Sequence, residues 1–134
     1  MSEPMVLTYS EVLVIHQLLL DRFGGMPGIT EPGFGKLEAA VAAPSLSMFG
    51  DDLYPTVVEK ASILFYLVAR SHAFTDGNKR VALLALIEIL ARNGMVLDAA
   101  EEEIYQFVMS TASDRSRDDV FGWIAAHVKA QDAP

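Results

Sequence analysis

Residues 57–91 read VVEKASILFYLVARSHAFTDGNKRVALLALIEILA, two strongly apolar stretches joined by a polar connection. In the first, Val57, Val58, Ala61, Leu64, Phe65 and Val68 recur at helical spacing. This stretch is read as one helix ending at Ser71, with Pro55 as its first-turn proline. The second, Val81 to Ala91, is apolar on every side except at Glu88. A helix hydrophobic all round is packed by others on several faces, so this one is expected at the centre of the molecule. Glu88 should then either pair with a buried arginine or emerge at the surface. Asn93-Gly94 ends the helix, as a glycine beyond the C-terminus commonly does.

Outward from this pair the same periodicity continues. Thr8-Tyr9-Ser10-Glu11 fits a capping box, followed by Val12, Ile15, Leu19 and Phe23 at helical spacing until Gly24-Gly25. Residues 24–33, GGMPGITEPG, hold too many glycines and prolines for an element interior and are read as a shaped loop. Two readings of it stand: a rigid turn, or a flap in which Met26, Pro27 and Ile29 cover a neighbouring site. A short helix, Lys36 to Ala43, ends at Pro44. Asp98 with Glu101 offers another capping box, for a helix carrying Ile104, Tyr105, Val108 and Ala112 on one side. Ser116 caps the last helix, with Asp118 and Asp119 in its positive first turn and Val120, Trp123 and Ile124 inward. Sustained period-two alternation is absent. The expectation is one all-α domain over residues 1–134, a compact bundle of about six helices, with a frayed tail after Lys129.

Composition narrows the function. The chain has 134 residues, no cysteine, and 18 acidic against 10 basic side chains, for a net charge of −8. Without cysteine there is no disulfide, thiol nucleophile or thiolate zinc site, and a reducing, cytoplasmic location is expected. Met1-Ser2-Glu3-Pro4 shows no basic region ahead of an apolar stretch, so no leader is expected. The longest apolar run, Val81 to Ile87, is far short of the ~20 residues a membrane span needs. Direct nucleic-acid binding is not expected either, because neutralising a phosphate backbone takes clustered Lys and Arg.

The connection from Ser71 to Arg80 is where chemistry concentrates. It sets an imidazole, a carboxylate, a carboxamide and two cations between the most apolar helices. Asn78 or Asp76 ends the loop at the start of the following helix, where unpaired N–H groups and the positive dipole end gather. Lys79 and Arg80 add charge there, making an anion site of the kind that holds phosphates. Asp76 beside phosphates is a hard oxygen ligand suited to Mg²⁺, and His72 is the natural general base near neutral pH. Phe74 reads as the apolar anchor of the loop, and Gly77 permits positive φ and close approach of a ligand. Without its full pattern the same segment would read as a capped helix with a salt-bridged Asp and a buried His.

His72-Ala73-Phe74-Thr75-Asp76-Gly77-Asn78-Lys79-Arg80 resembles the signature H-x-F-x-[DN]-[AG]-N-K-R of the Fic/Doc family in its Doc, or death-on-curing, branch. Arg22 to Gly28, the helix ending at Pro44, Asp52-Leu53-Tyr54-Pro55 and Arg92-Asn93-Gly94 resemble the same branch. The resemblance implies a helical bundle whose motif loop joins two central helices, and transfer of part of a nucleoside triphosphate to a hydroxyl of a protein. It implies His72 as the base, Asp76 as the Mg²⁺ ligand, and Asn78, Lys79 and Arg80 on phosphate oxygens of ATP or another triphosphate. The larger Fic branch, H-P-F-x-[DE]-G-N-G-R-x-x-R, transfers the nucleotidyl group. Here Ala73 replaces its proline, Lys79 its second glycine and Leu83 its final arginine. A lysine fills space the glycine leaves to the phosphate chain, and the outer clamp is lost, so γ-phosphate transfer is expected. Nucleotidyl transfer and a silent antitoxin-binding module are the alternatives.

The resemblance further implies a toxin paired with a small antitoxin whose disordered tail folds on binding. It implies a translation elongation factor as target and growth arrest as outcome. No [ST]-x-x-x-E-[GN] inhibitory helix is present, so inhibition is expected in trans. Met26, Met48 and Met109 would offer an apolar surface to an antitoxin helix. Gly33-Phe34-Gly35-Lys36 is no phosphate loop, since Leu37 follows the lysine and position 30 is Thr. His16 and His127 lack a second ligand at helical spacing and are read as ordinary helix residues, and Glu101-Glu102-Glu103 as a solvated first turn.

Overall fold

The computed structural model describes residues 4–132. The reading of the N-terminus therefore rests largely on residues outside the described ones, as does the last part of the tail. Six α-helices make up the fold: α1 (Tyr9–Phe23), α2 (Gly33–Ala42), α3 (Val57–Ser71), α4 (Asn78–Arg92), α5 (Glu101–Ser113) and α6 (Arg117–Ala126). A single 3₁₀ turn, Ala43–Ser45, follows α2 and contains Pro44. The expected all-α bundle is thus observed, with two small antiparallel additions. They are β1 (Ser47–Met48) with β2 (Asp51–Asp52), and β3 (Met95–Leu97) with β4 (Val128–Ala130). Strands of two or three residues are too short to show alternation, so periodicity does not reveal them.

Helix starts follow local hydrogen bonding. Thr8 Oγ1 accepts the Glu11 N–H at 3.2 Å while the Glu11 carboxylate accepts the Thr8 N–H at 2.9 Å, the expected capping box. Ser116 Oγ likewise accepts the Asp119 N–H at 3.2 Å. Pro55 is not in the first turn of α3, because Thr56 is the cap and its hydroxyl accepts the Glu59 N–H at 3.1 Å. The Asp98–Glu101 box does not form. The Asp98 N–H donates instead to the His127 carbonyl at 2.6 Å, extending the β3–β4 pairing, and α5 starts behind Ala100, whose N–H donates to Glu103. Helix α2 begins at Gly33, three residues ahead of the expected Lys36. The tail is ordered past Lys129: Ala130 pairs with Met95, and the Gln131 N–H donates to the Gly94 carbonyl at 2.8 Å.

Leu64, Phe65 and Val68 of α3 and Val81, Ala82, Ala85, Leu86 and Ile89 of α4 are fully buried, and these two helices share the largest interface. The most enclosed helix is α3, which also packs on α2, α5 and α6. Helix α4 is not covered all round, since Leu84 and Ile87 remain 38% and 39% exposed. Glu88 emerges at the surface and bonds there to Arg92 Nε at 3.1 Å; Arg92 is itself part-exposed, so the pairing with a buried arginine does not occur. Arg92 also grips Glu11, tying α4 to α1, and holds the Glu11 carboxyl down at about 2. The hydrogen bond from Arg92 is the largest cause, and the bond from the Thr8 N–H adds to it. The same carboxylates raise Arg92. No helix among the described residues is long and apolar enough to cross a membrane.

Candidate active site

The polar connection between α3 and α4 borders an open cavity of about 500 Å³. His72, Asp76, Gly77, Asn78, Lys79 and Arg80 line it. His72 ends α3 at φ 51° and ψ 32°, a left-handed backbone that L-residues with side chains seldom adopt. This turn leaves the imidazole exposed at the cavity wall. Phe74 is buried and forms an antiparallel bridge with Ile29.

Gly77 occupies the cap position of α4 at φ 86°, so neither Asp76 nor Asn78 caps it through a side chain. The first-turn N–H groups of Asn78, Lys79 and Arg80 have no intrahelical partner, as at any helix start. Asn78 also holds the loop. Its carboxamide accepts the Phe74 N–H and donates to the Phe74 carbonyl, both at 2.9 Å, clasping the loop. Its backbone N–H and the second proton of Nδ2 remain for an anion. Lys79 and Arg80 are exposed, and the Arg80 guanidinium lies 4.7 Å over the Phe23 ring. Asp76 Oδ1 accepts the Gly77 N–H at 2.9 Å, and Oδ2 accepts the Met26 N–H at a long 3.4 Å.

The loop 24–33 is built against the motif. The Thr75 N–H donates to the Gly28 carbonyl at 3.0 Å, and the Thr30 N–H to the Ala73 carbonyl at 2.9 Å. Gly25, at φ 120°, faces Asp76 so closely that a Cβ would stand 2.9 Å from Oδ2. The loop is therefore a fixed wall of the site, combining the rigid turn with a place beside the cavity. Gly33-Phe34-Gly35-Lys36, dismissed as a phosphate loop, opens α2. Met26, Met48 and Met109 are all exposed, but they stand on the loop, β1 and α5 and line no common cavity.

Helix α1 adds two residues from outside the His72 to Arg80 signature. Phe23 forms part of the cavity wall, and His16 lies buried beneath the loop with Nε2 2.9 Å from the Asp76 carbonyl oxygen. Phe23 falls in the Arg22 to Gly28 stretch that resembles the Doc branch, whereas the only signal for His16 is its place beside the inward stripe of α1. His127 Nδ1 stands 2.6 Å from the Trp123 carbonyl, an ordinary helix-end contact. Among the described residues no three His, Cys, Asp or Glu side chains form a metal-holding cluster. A single carboxylate with open lone pairs beside an anion cavity suits a Mg²⁺ that shares its ligands with phosphates and water.

A helical bundle that presents this loop between its two most closely packed helices defines a family. The Fic/DOC family model matches residues 6–90, and the chain belongs to that family. Within it the chain stands with the Doc type. It is 43% identical over 77 residues to "Toxin Doc" of Mycolicibacterium smegmatis, a match covering 58% of each chain. It is 34% identical over 97 residues to "Protein kinase doc" of Escherichia phage P1, covering 68% of this chain and 71% of that one.

Proposed function

We propose that the chain is the toxin of a toxin–antitoxin pair, transferring the γ-phosphate of ATP or another nucleoside triphosphate to a hydroxyl of a translation factor and arresting growth in the cytoplasm. The observation that carries this reading is one cavity lined by a base, a carboxylate and a positively charged helix start, His72, Asp76, Lys79 and Arg80. The names of the two relatives support it. The first-turn N–H groups of α4 with Lys79 and Arg80 hold phosphate oxygens. Asp76 would hold Mg²⁺, which when bound neutralises charge on the transferring phosphates. His72 takes the proton of the target hydroxyl; its oxygen then bonds to the γ-phosphorus as the bond to the bridging oxygen breaks, and the diphosphate departs. Such chemistry depends mainly on positioning and electrostatics.

Lys79 in place of glycine and Leu83 in place of arginine favour the γ-phosphate over the nucleotidyl group. The antitoxin reading draws support from the apolar groove between α1 and α4, where Val14, Leu18, Leu84 and Ile87 stand exposed. The test is purified protein with Mg²⁺ and bacterial extract, given ATP labelled at the α or the γ position. Label from the γ position alone, lost in His72→Ala, is expected. Label from the α position would establish nucleotidyl transfer instead, and label from neither would leave a binding module.

A further inference from the structure

Asp76 and Gly77 share a peptide group that is held at both ends. Its N–H, from Gly77, donates to Asp76 Oδ1 at 2.9 Å. Its carbonyl oxygen, from Asp76, lies 2.9 Å from His16 Nε2 on α1. A carbonyl only accepts, so Nε2 carries the proton and the tautomer is set by this contact. The His16 ring is 6% exposed and stacks on Phe74, with ring centroids 3.9 Å apart and planes at 22°. It also lies beneath Gly77, where a Cβ would stand 3.7 Å from Cδ2. One buried imidazole thus touches the motif loop at its apolar anchor and at the peptide that follows the carboxylate.

Gly77 sits at φ 86°, and glycine adopts either sign of φ readily, so the peptide between Asp76 and Gly77 is free to rotate unless something holds it. Rotation would carry the Gly77 N–H away from Oδ1 and release the carboxylate. The Met26 N–H, at 3.4 Å from Oδ2, is too long a bond to hold it alone. The clasp of Asn78 fixes Phe74 and does not reach this peptide.

We propose that His16 is a positioning residue for phosphate transfer: its Nε2–H pins the Asp76–Gly77 peptide and thereby aims the Asp76 carboxylate into the cavity. This rests on the functional reading above, in which Asp76 is the metal ligand. His16→Phe keeps the ring and its stacking but removes the donor, whereas His16→Gln keeps an N–H at a similar reach and loses the ring.

The Gly77 amide reports on the peptide without any ligand. In His16→Phe its hydrogen exchange should quicken about tenfold, the equivalent of one lost hydrogen bond. Mg²⁺-ATP affinity by calorimetry and kcat/KM for γ-phosphate transfer should fall by a similar factor, and His16→Gln should recover most of each loss. Exchange and kcat/KM within twofold of wild type in His16→Phe would overturn the proposal, as would equal losses in both variants. If neither variant folds, the wild-type imidazole decides: a slowly exchanging Nε2 proton coupled to the Asp76 carbonyl supports the role, and its absence overturns it. Should wild type transfer no phosphate, the functional reading falls, while Gly77 exchange still decides whether His16 holds the loop.

Discussion

Gly33→Ala puts a methyl carbon 2.2 Å from the Ala73 carbonyl oxygen, 2.6 Å from Thr30 Oγ1 and 2.8 Å from Ala73 Cα. Two of these neighbours are backbone of the motif loop, so they cannot turn aside as a flexible side chain would. Ordinary contact of carbon atoms begins near ~3.5 Å, so α2 and the motif loop must part by roughly 1 Å. Overpacking of this kind costs about 1–3 kcal/mol. Weakening the bond from the Thr30 N–H to the Ala73 carbonyl adds about 1 kcal/mol. Together these predict a loss of about 2–4 kcal/mol, or roughly 10 °C in Tm for a chain of this size. A shift of the motif loop by that distance should also lower the proposed transfer activity by about 10²-fold. Gly35→Ala is the control. It lies in the same helix with nothing within 4 Å of its Cβ position, and alanine there should gain about 0.5–1 kcal/mol. Urea denaturation and γ-label transfer read both variants. The reasoning is refuted if Gly33→Ala stays within 0.5 kcal/mol of wild type, or if Gly35→Ala is the more damaging of the two.

Two further outcomes are expected. Asn78→Ala removes both bonds to the Phe74 backbone and should cost about 1–3 kcal/mol in urea denaturation, with reduced activity although His72 and Asp76 are untouched. Glu11→Gln should lower stability near neutral pH by about 1 kcal/mol, a figure discounted because the Glu11 side chain is 37% exposed and screened by solvent. Since Arg92 holds the folded-state value at about 2, below the ordinary 4.5, the stabilisation is present above the ordinary value and fades as pH falls. Denaturation curves of the two proteins should therefore converge toward pH 2.

Elements whose cause lies within a few residues were readable. The Thr8 and Ser116 caps each close over three residues, the apolar spacing of α1 and α3 follows one helical face, and α4 is apolar nearly throughout. The His72 to Arg80 motif is contiguous, so its residues needed no folding to be seen together. Local signals failed where a distant partner competed. Asp98 has the right neighbour for a cap at Glu101, yet its N–H is taken by His127 across the β3–β4 pair. The apolar face of Leu84 and Ile87 looks like core by composition and is surface because, among the described residues, no helix covers it.

What the amino-acid sequence determined by itself is the helical class and the identities of the charged groups, since both depend on spacing along the chain. The tertiary structure alone decided how those groups are held. His16 meets the Asp76 carbonyl across 60 residues, Met26 meets its carboxylate across 50, and Gly33 is needed because the Ala73 carbonyl passes directly above it. Such contacts have no period and no motif, because they arise only when packing brings α1 and the loop after it against the start of α4.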